Sequence, residues 1–190
     1  YGSFEESLHY VTLARELDPL SPIITTAVGI PYHLHRRYEE AARIYSSVLD
    51  SEPRFAPAHF YLGLTLEQLG RFDAAIDHME TARGITSEIA TFGGAMIHCY
   101  ARSGARDKAL ALLAEVEQRA TERYVSAYHF MLGHLGLGNF EQAIDSFGAA
   151  IEEHSPWLYW IPRDPRLDPL RGDERFQKLA HENRLNGEEG

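Results

Sequence analysis

Five segments of this 190-residue chain align on one another at a constant spacing of 34 residues. That period constrains the fold more than any other feature of the sequence. The segments are GSFEESLHYVTLARELDP, HRRYEEAARIYSSVLDSEP, LGRFDAAIDHMETARGITS, SGARDKALALLAEVEQRAT and LGNFEQAIDSFGAAIEEHS. One column reads Ser7, Ala41, Ala75, Ala109 and Ala143; another reads Phe4, Tyr38, Phe72, Arg106 and Phe140. Val11, Tyr45, Met79, Leu113 and Phe147 form a third, and Ala14, Val48, Ala82, Val116 and Ala150 a fourth. A small residue followed at four and seven positions by apolar ones marks one face of a helix. The small residue lets a second helix come close, and the apolar residues fill the space beside it. Gly2, Gly70, Gly104 and Gly138 precede these helices, where a tight turn needs a permissive backbone. Pro19 and Pro53 follow helix ends and stop them, and the same column continues as Ser87, Thr121 and Ser155.

Between these segments lie IITTAVGIPYHLHR, AHFYLGLTLEQLG, TFGGAMIHCYARSG and SAYHFMLGHLGLG, each with the pattern of a helix. They carry the columns Gly29, Gly63, Ile97 and Met131, and Tyr32, Leu66, Tyr100 and His134. The repeating unit is therefore helix–turn–helix. It resembles the tetratricopeptide repeat family, and AHFYLGLTLEQLGRFDAAIDHMETA carries the likeness most fully. The resemblance implies an all-α fold, a right-handed superhelix of antiparallel helix pairs with a C-terminal capping segment. The expected division is the second helix of a partial repeat at 1–20, then repeats at 21–55, 56–89, 90–123 and 124–155, then an aromatic and Pro-rich cap at 156–190. Pro31 is expected to kink its helix. Ile97, standing where the column has Gly, is expected to hold its helices slightly farther apart. The partial repeat leaves Leu8, Val11 and Ala14 facing an absent partner, as at a cut through a longer array, a docking boundary or a frayed end. The first residue is Tyr, not Met, which fits a fragment of something longer.

The tail WLYWIPRDPRLDPLRGDERFQKLA interrupts the pattern with Pro162, Pro165 and Pro169. Asp173 is a suitable N-cap for a last helix bearing Phe176, Leu179 and Ala180 on one face. A helical array must cover its open end, so Trp157, Leu158, Trp160, Leu167, Leu170 and Phe176 are expected to seal it. The alternative is a docking motif presented by Arg163, Arg166, Arg171 and Arg175. The stretch from Glu122 to Leu179 is similar to the C-terminal end of a group of bacterial tetratricopeptide proteins. In that group the array follows a winged-helix regulator, an adenylate-cyclase-type domain or a Ser/Thr kinase. The resemblance implies a cytoplasmic regulatory or scaffolding arm. Glu174 departs from the group, which more often has Pro there.

No catalytic constellation is visible. There is no GxSxG, Walker or dinucleotide motif, no HExxH and no paired-cysteine spacing. His33 and His35, and His129 and His134, are spaced so that each pair diverges on a helix. Cys99 is the single cysteine and has no activating base in the pattern. No metal and no cofactor are expected. The net charge of −10 argues against nucleic acid and anionic lipid. No apolar run is long enough to span a membrane.

The expected partner is a protein or peptide segment, held in cis or in trans, with a homodimer also compatible. In such arrays the first helix of each pair lines the concave face. The columns expected to be exposed there are Thr26, Phe60, Gly94 and Tyr128; Ile30, Leu64, His98 and Leu132; His33, Glu67, Ala101 and Leu135; and Leu34, Gln68, Arg102 and Gly136. The groove residues singled out are Thr26, Ile30, His33, Phe60, Leu64, Glu67, His98, Arg102, Tyr128 and Leu132. Thr26, Ile30, Phe60 and Leu64 stand where some tetratricopeptide modules carry a carboxylate clamp, so an apolar helix or extended segment is favoured. The opposing possibility is that the same stripe is inter-repeat core, or packs on another part of the protein.

Overall fold

The computed structural model describes residues 3–86 and 89–185, so Gly2 and Ser87 of the columns above lie outside the described residues. Among the described residues all regular structure is helical: α1 (Phe4–Leu17), α2 (Pro22–Leu34), α3 (Tyr38–Ser51), α4 (Ala56–Gln68), α5 (Phe72–Thr86), α6 (Ile89–Arg102), α7 (Arg106–Ala120), α8 (Ala127–Gly136), α9 (Phe140–Glu152) and α10 (Glu174–Glu182), with 3-10 turns at Pro156–Trp160 and Pro165–Leu170. The fold is all-α, a repeat of helix pairs of the α-solenoid type. It divides into two compact units, α1 to α5 and α6 to α10.

In the first unit the repeat columns form the core. Ala41, Tyr45, Ala75, Met79 and Ala82 are fully buried. The close approach is visible at Gly63 of α4, where an added Cβ would lie 2.7 Å from Met79 Cγ and 3.0 Å from the Ala75 carbonyl oxygen. Gly29 of α2 meets Tyr45 in the same way. Helix α2 runs through Pro31, which is buried. α1 is capped by Ser3, whose Oγ accepts the Glu6 amide at 3.1 Å, but it buries none of its residues.

The second unit repeats the arrangement with Ala109, Val116, Ala143, Phe147 and Ala150 at its centre. Here the first helices of successive pairs also touch backbone to backbone. A Cβ on Gly94 would fall 2.6 Å from His129 Cα, and one on Gly136 would fall 2.5 Å from His98 Cα. Ile97 is fully buried; a Cβ on Gly133 of α8 would stand 3.3 Å from its Cγ2, so the small residue has moved to the neighbouring helix.

The turn column behaves as one position. Gly70, Gly104 and Gly138 have φ of 72°, 86° and 80°, and Arg36, at the same register, is forced to 61°. A left-handed backbone there closes each helix pair, and glycine adopts it without a Cβ penalty.

The tail covers the end of the second unit. Ser155, Asp164 and Asp173 each cap the next helical segment, with Asp173 accepting the Arg175 and Phe176 amides at 2.8 and 3.0 Å. Trp160, Leu167, Leu170 and Phe176 are buried, joined by Ile161, while Trp157 and Leu158 stay half-buried. The Phe176 ring packs on Phe147 of α9 at 4.8 Å between centroids.

Candidate protein-binding surface

The ten predicted groove residues fall into two sets, one per unit. In the first unit Thr26, His33, Leu64 and Glu67 are buried, and Ile30 and Phe60 are half-buried. The Thr26 hydroxyl donates to the Pro22 carbonyl at 2.7 Å. Thr65 donates to the Tyr61 carbonyl at 2.8 Å, so its oxygen accepts from His33 Nδ1 at 3.0 Å. That bond ties α2 to α4 and fixes the His33 proton on Nδ1. In the second unit His98, Tyr128 and Leu132 are buried, and only Arg102 is exposed.

The expected exposure of these columns is therefore corrected. Seven of the ten residues are buried, and Leu135, from the same columns, is buried too. The cause in the second unit is the glycine contact between α6 and α8, which closes over Gly94, His98, Leu132 and Gly136. From Phe92 to Tyr100, α6 is buried on every side. Residues of that stripe serve as inter-repeat core, the second of the two uses the pattern allowed.

Tyr128 has a specific structural partner that the sequence did not reveal. Its hydroxyl donates to Asp164 Oδ2 at 3.0 Å and accepts from Arg166 at 3.2 Å. Arg166 grips the same carboxylate through Nε at 2.9 Å and through its terminal nitrogen at 2.7 Å, with Asp164 and Arg166 exposed by 1 % and 6 %. Burial first, and the Asp164 carboxylate second, push the Tyr128 phenol well above its usual range, so it stays a neutral donor. The adjacent His129 is pushed down to about 4 by burial and by the Arg166 charge. Arg171 bonds the Ile161 and Asp164 carbonyls at 3.4 and 3.1 Å, and Arg175 bridges Glu141 and Asp145 at 2.8 and 2.7 Å. Arg166 and Arg171 thus bond within the tail itself, and Arg175 pairs with α9 at the exposed surface.

Two further features escaped the sequence reading. His59 of α4 and His78 of α5 face each other with their Nδ1 atoms 2.8 Å apart. Tyr10, Leu13 and Leu17 of α1 are exposed. A signal for the latter was present: the column holding Leu13 otherwise reads Ser47, Thr81, Glu115 and Ala149. Among the described residues no cluster of three or more His, Cys, Asp or Glu is placed to hold a metal ion. Nor is any helix among them long and apolar enough to cross a membrane.

The fold thus defines an all-helical protein built from repeated helix pairs. The tetratricopeptide repeat family profile matches residues 35–88, the span from the end of α2 to the end of α5. Together with the helix-pair period, that match supports a tetratricopeptide repeat protein, and such repeats generally mediate protein–protein interaction. No curated protein matches the chain.

Proposed function

We propose that the chain is a non-catalytic scaffold that binds a protein segment, acting as the C-terminal regulatory part of a larger cytoplasmic bacterial signalling protein. The observation that carries this reading is the helix-pair repeat with its family match over residues 35–88. Core columns are held fixed in such a repeat, and the side chains left at the surface are the ones available to a partner. Of the groove residues, Ile30 and Phe60 in the first unit and Arg102 in the second retain surface. The tail similar to that of bacterial signalling arrays supports the regulatory context, and the net charge of −10 favours a protein partner over nucleic acid.

The test is capture of cross-linkable partners by the immobilised chain, comparing the native sequence with Phe60→Ala and with Arg102→Glu, each checked for native helicity. Loss of a specific captured protein in either variant supports the reading. Identical capture by both variants refutes these residues as contacts, and no saturable partner at all refutes the scaffold.

A further inference from the structure

α4 and α5 form a hairpin whose turn is at Gly70. At its open end the two helices are joined side chain to side chain. His59, in the first turn of α4, meets His78 of α5 with 2.8 Å between their Nδ1 atoms. The ring centroids are 5.1 Å apart and the planes 37° apart, so the rings meet through those nitrogens and do not stack. The other nitrogen of His59, Nε2, stands 3.0 Å from the Pro53 carbonyl oxygen. A carbonyl only accepts, so Nε2 carries a proton. A neutral imidazole has one N–H, which leaves His59 Nδ1 bare and makes it the acceptor. His78 Nδ1 is then the donor, and its Nε2 is the unprotonated nitrogen. No other repeat has histidine at either position: the His59 column otherwise reads Thr25, Gly93 and Ala127, and the His78 column Tyr10, Ile44, Leu112 and Ser146. The paired rings belong to this hairpin and not to the repeat.

That arrangement limits the protons the pair can hold. In the neutral pair one proton sits on His59 Nε2 and one between the two Nδ1 atoms. A third goes to His78 Nε2, and the bridge survives as a charge-assisted bond. A fourth has only the bridge left to occupy. Two N–H bonds of about 1 Å each cannot point at one another across 2.8 Å, and two charged rings repel. Burial, then the His59 charge, already hold His78 below its ordinary 6.5, with Asp77 beside it on α5 pulling the other way. On the α3 side the charged residues flanking Pro53 are Glu52 and Arg54, both exposed. His33 of α2 is bonded to Thr65, further along α4. One turn beyond His59, Gly63 sits against Met79 and Ala75, so parting of the rings loosens the open end of the hairpin and leaves the end at Gly70 closed.

We propose that the His59–His78 pair is a pH-sensitive clasp between α4 and α5, which holds while the rings share one bridging proton and parts when both are charged. The clasp needs no partner to operate. Its first test uses the native chain alone. Long-range proton–nitrogen NMR correlation at about pH 8, above the titration range of either ring, should find the proton on Nε2 of His59 and on Nδ1 of His78. The second test follows backbone amide exchange, corrected for its intrinsic pH dependence, at about pH 8 and about pH 5. Protection of the first turn of α4 and of α5 beyond His78 should fall by about tenfold in acid, while the amides nearer Gly70 keep theirs. His78→Asn retains an N–H donor for His59 Nδ1 and takes up no proton, so it should abolish the fall. His129→Asn, which removes a buried imidazole from the second unit, should leave the fall in place. A proton on Nε2 of His78 with a bare Nδ1 overturns the proposal. So does protection unchanged in acid, an equal fall in native chain and His78→Asn, or a loss spread evenly over the whole hairpin.

Discussion

Replacing Gly94 with alanine tests the closest helix contact in the second unit. The added Cβ would meet the backbone of His129, with Cα only 2.6 Å away. Real Cβ atoms do not approach below about 3 Å, and the obstacle is main chain, so no side-chain rotation relieves it. α6 and α8 must separate by roughly 1 Å, and a gap of that size forfeits about a quarter to a half of each dispersion contact across it. Overpacking of this kind costs about 1–3 kcal/mol, and an immovable obstacle places Gly94→Ala toward the upper end. Against it stands the helix-propensity gain of alanine over glycine, about 1 kcal/mol. The net expectation is a loss of about 2 kcal/mol, or about 4–8 °C in Tm for a chain of this size. The control is Gly84→Ala in α5, where a Cβ meets nothing within 4 Å; there the propensity term acts alone and stability should rise by up to about 1 kcal/mol. Thermal and urea unfolding of the two variants give the comparison directly. If Gly94→Ala unfolds at the native temperature or above it, the backbone contact between α6 and α8 is not the reason for that glycine.

The buried Asp164–Arg166 pair, 2.7 Å apart, should make Arg166→Met one of the most damaging single changes in the tail. It strands a desolvated carboxylate beside Tyr128, and removing one partner of a buried pair costs about 3–5 kcal/mol; an unfolding midpoint unchanged by the substitution would refute the role assigned to the pair. Acid should destabilise the protein through His129, pushed from 6.5 down to about 4. Its folded pKa lies below its unfolded one, so the unfolded chain takes up a proton that the native state refuses. The contribution is fully present above about 6.5 and drains away as pH falls, by about 2 kcal/mol at pH 5. His78 and His134, both lowered chiefly by burial, act with the same sign. Urea midpoints at pH 7 and pH 5 should differ accordingly, and His129→Asn should shrink the difference; equal midpoints in the native protein would count against a buried neutral imidazole.

The fold was legible because helix-pair packing leaves its mark at every repeat. A small residue at 41, 75, 109 and 143 and a bulky one four positions later can satisfy one another only as facing surfaces of close helices, and all four alanines are fully buried. The turn was legible for the same reason, as glycine is cheapest where φ must be positive. Arg36 shows the limit of that rule: it takes φ of 61°, a strained state that its neighbours hold in place and that no residue preference would have suggested. The tail was legible in its capping residues, since Asp173 precedes a helical pattern and accepts two amides there.

The binding surface was less legible because hydrophobic period reports which residues share a helical face, not what covers that face. A first helix in such an array contacts its own partner and the first helices on either side, so an apolar stripe along it fits a ligand groove and an inter-repeat seam equally well. The information that separates the two lay in Gly94 and Gly136. A glycine within a helix weakens it by about 1 kcal/mol, a cost without compensation on an open groove but offset where two backbones must touch. Read that way, these two glycines mark a closed seam from Gly94 to Gly136.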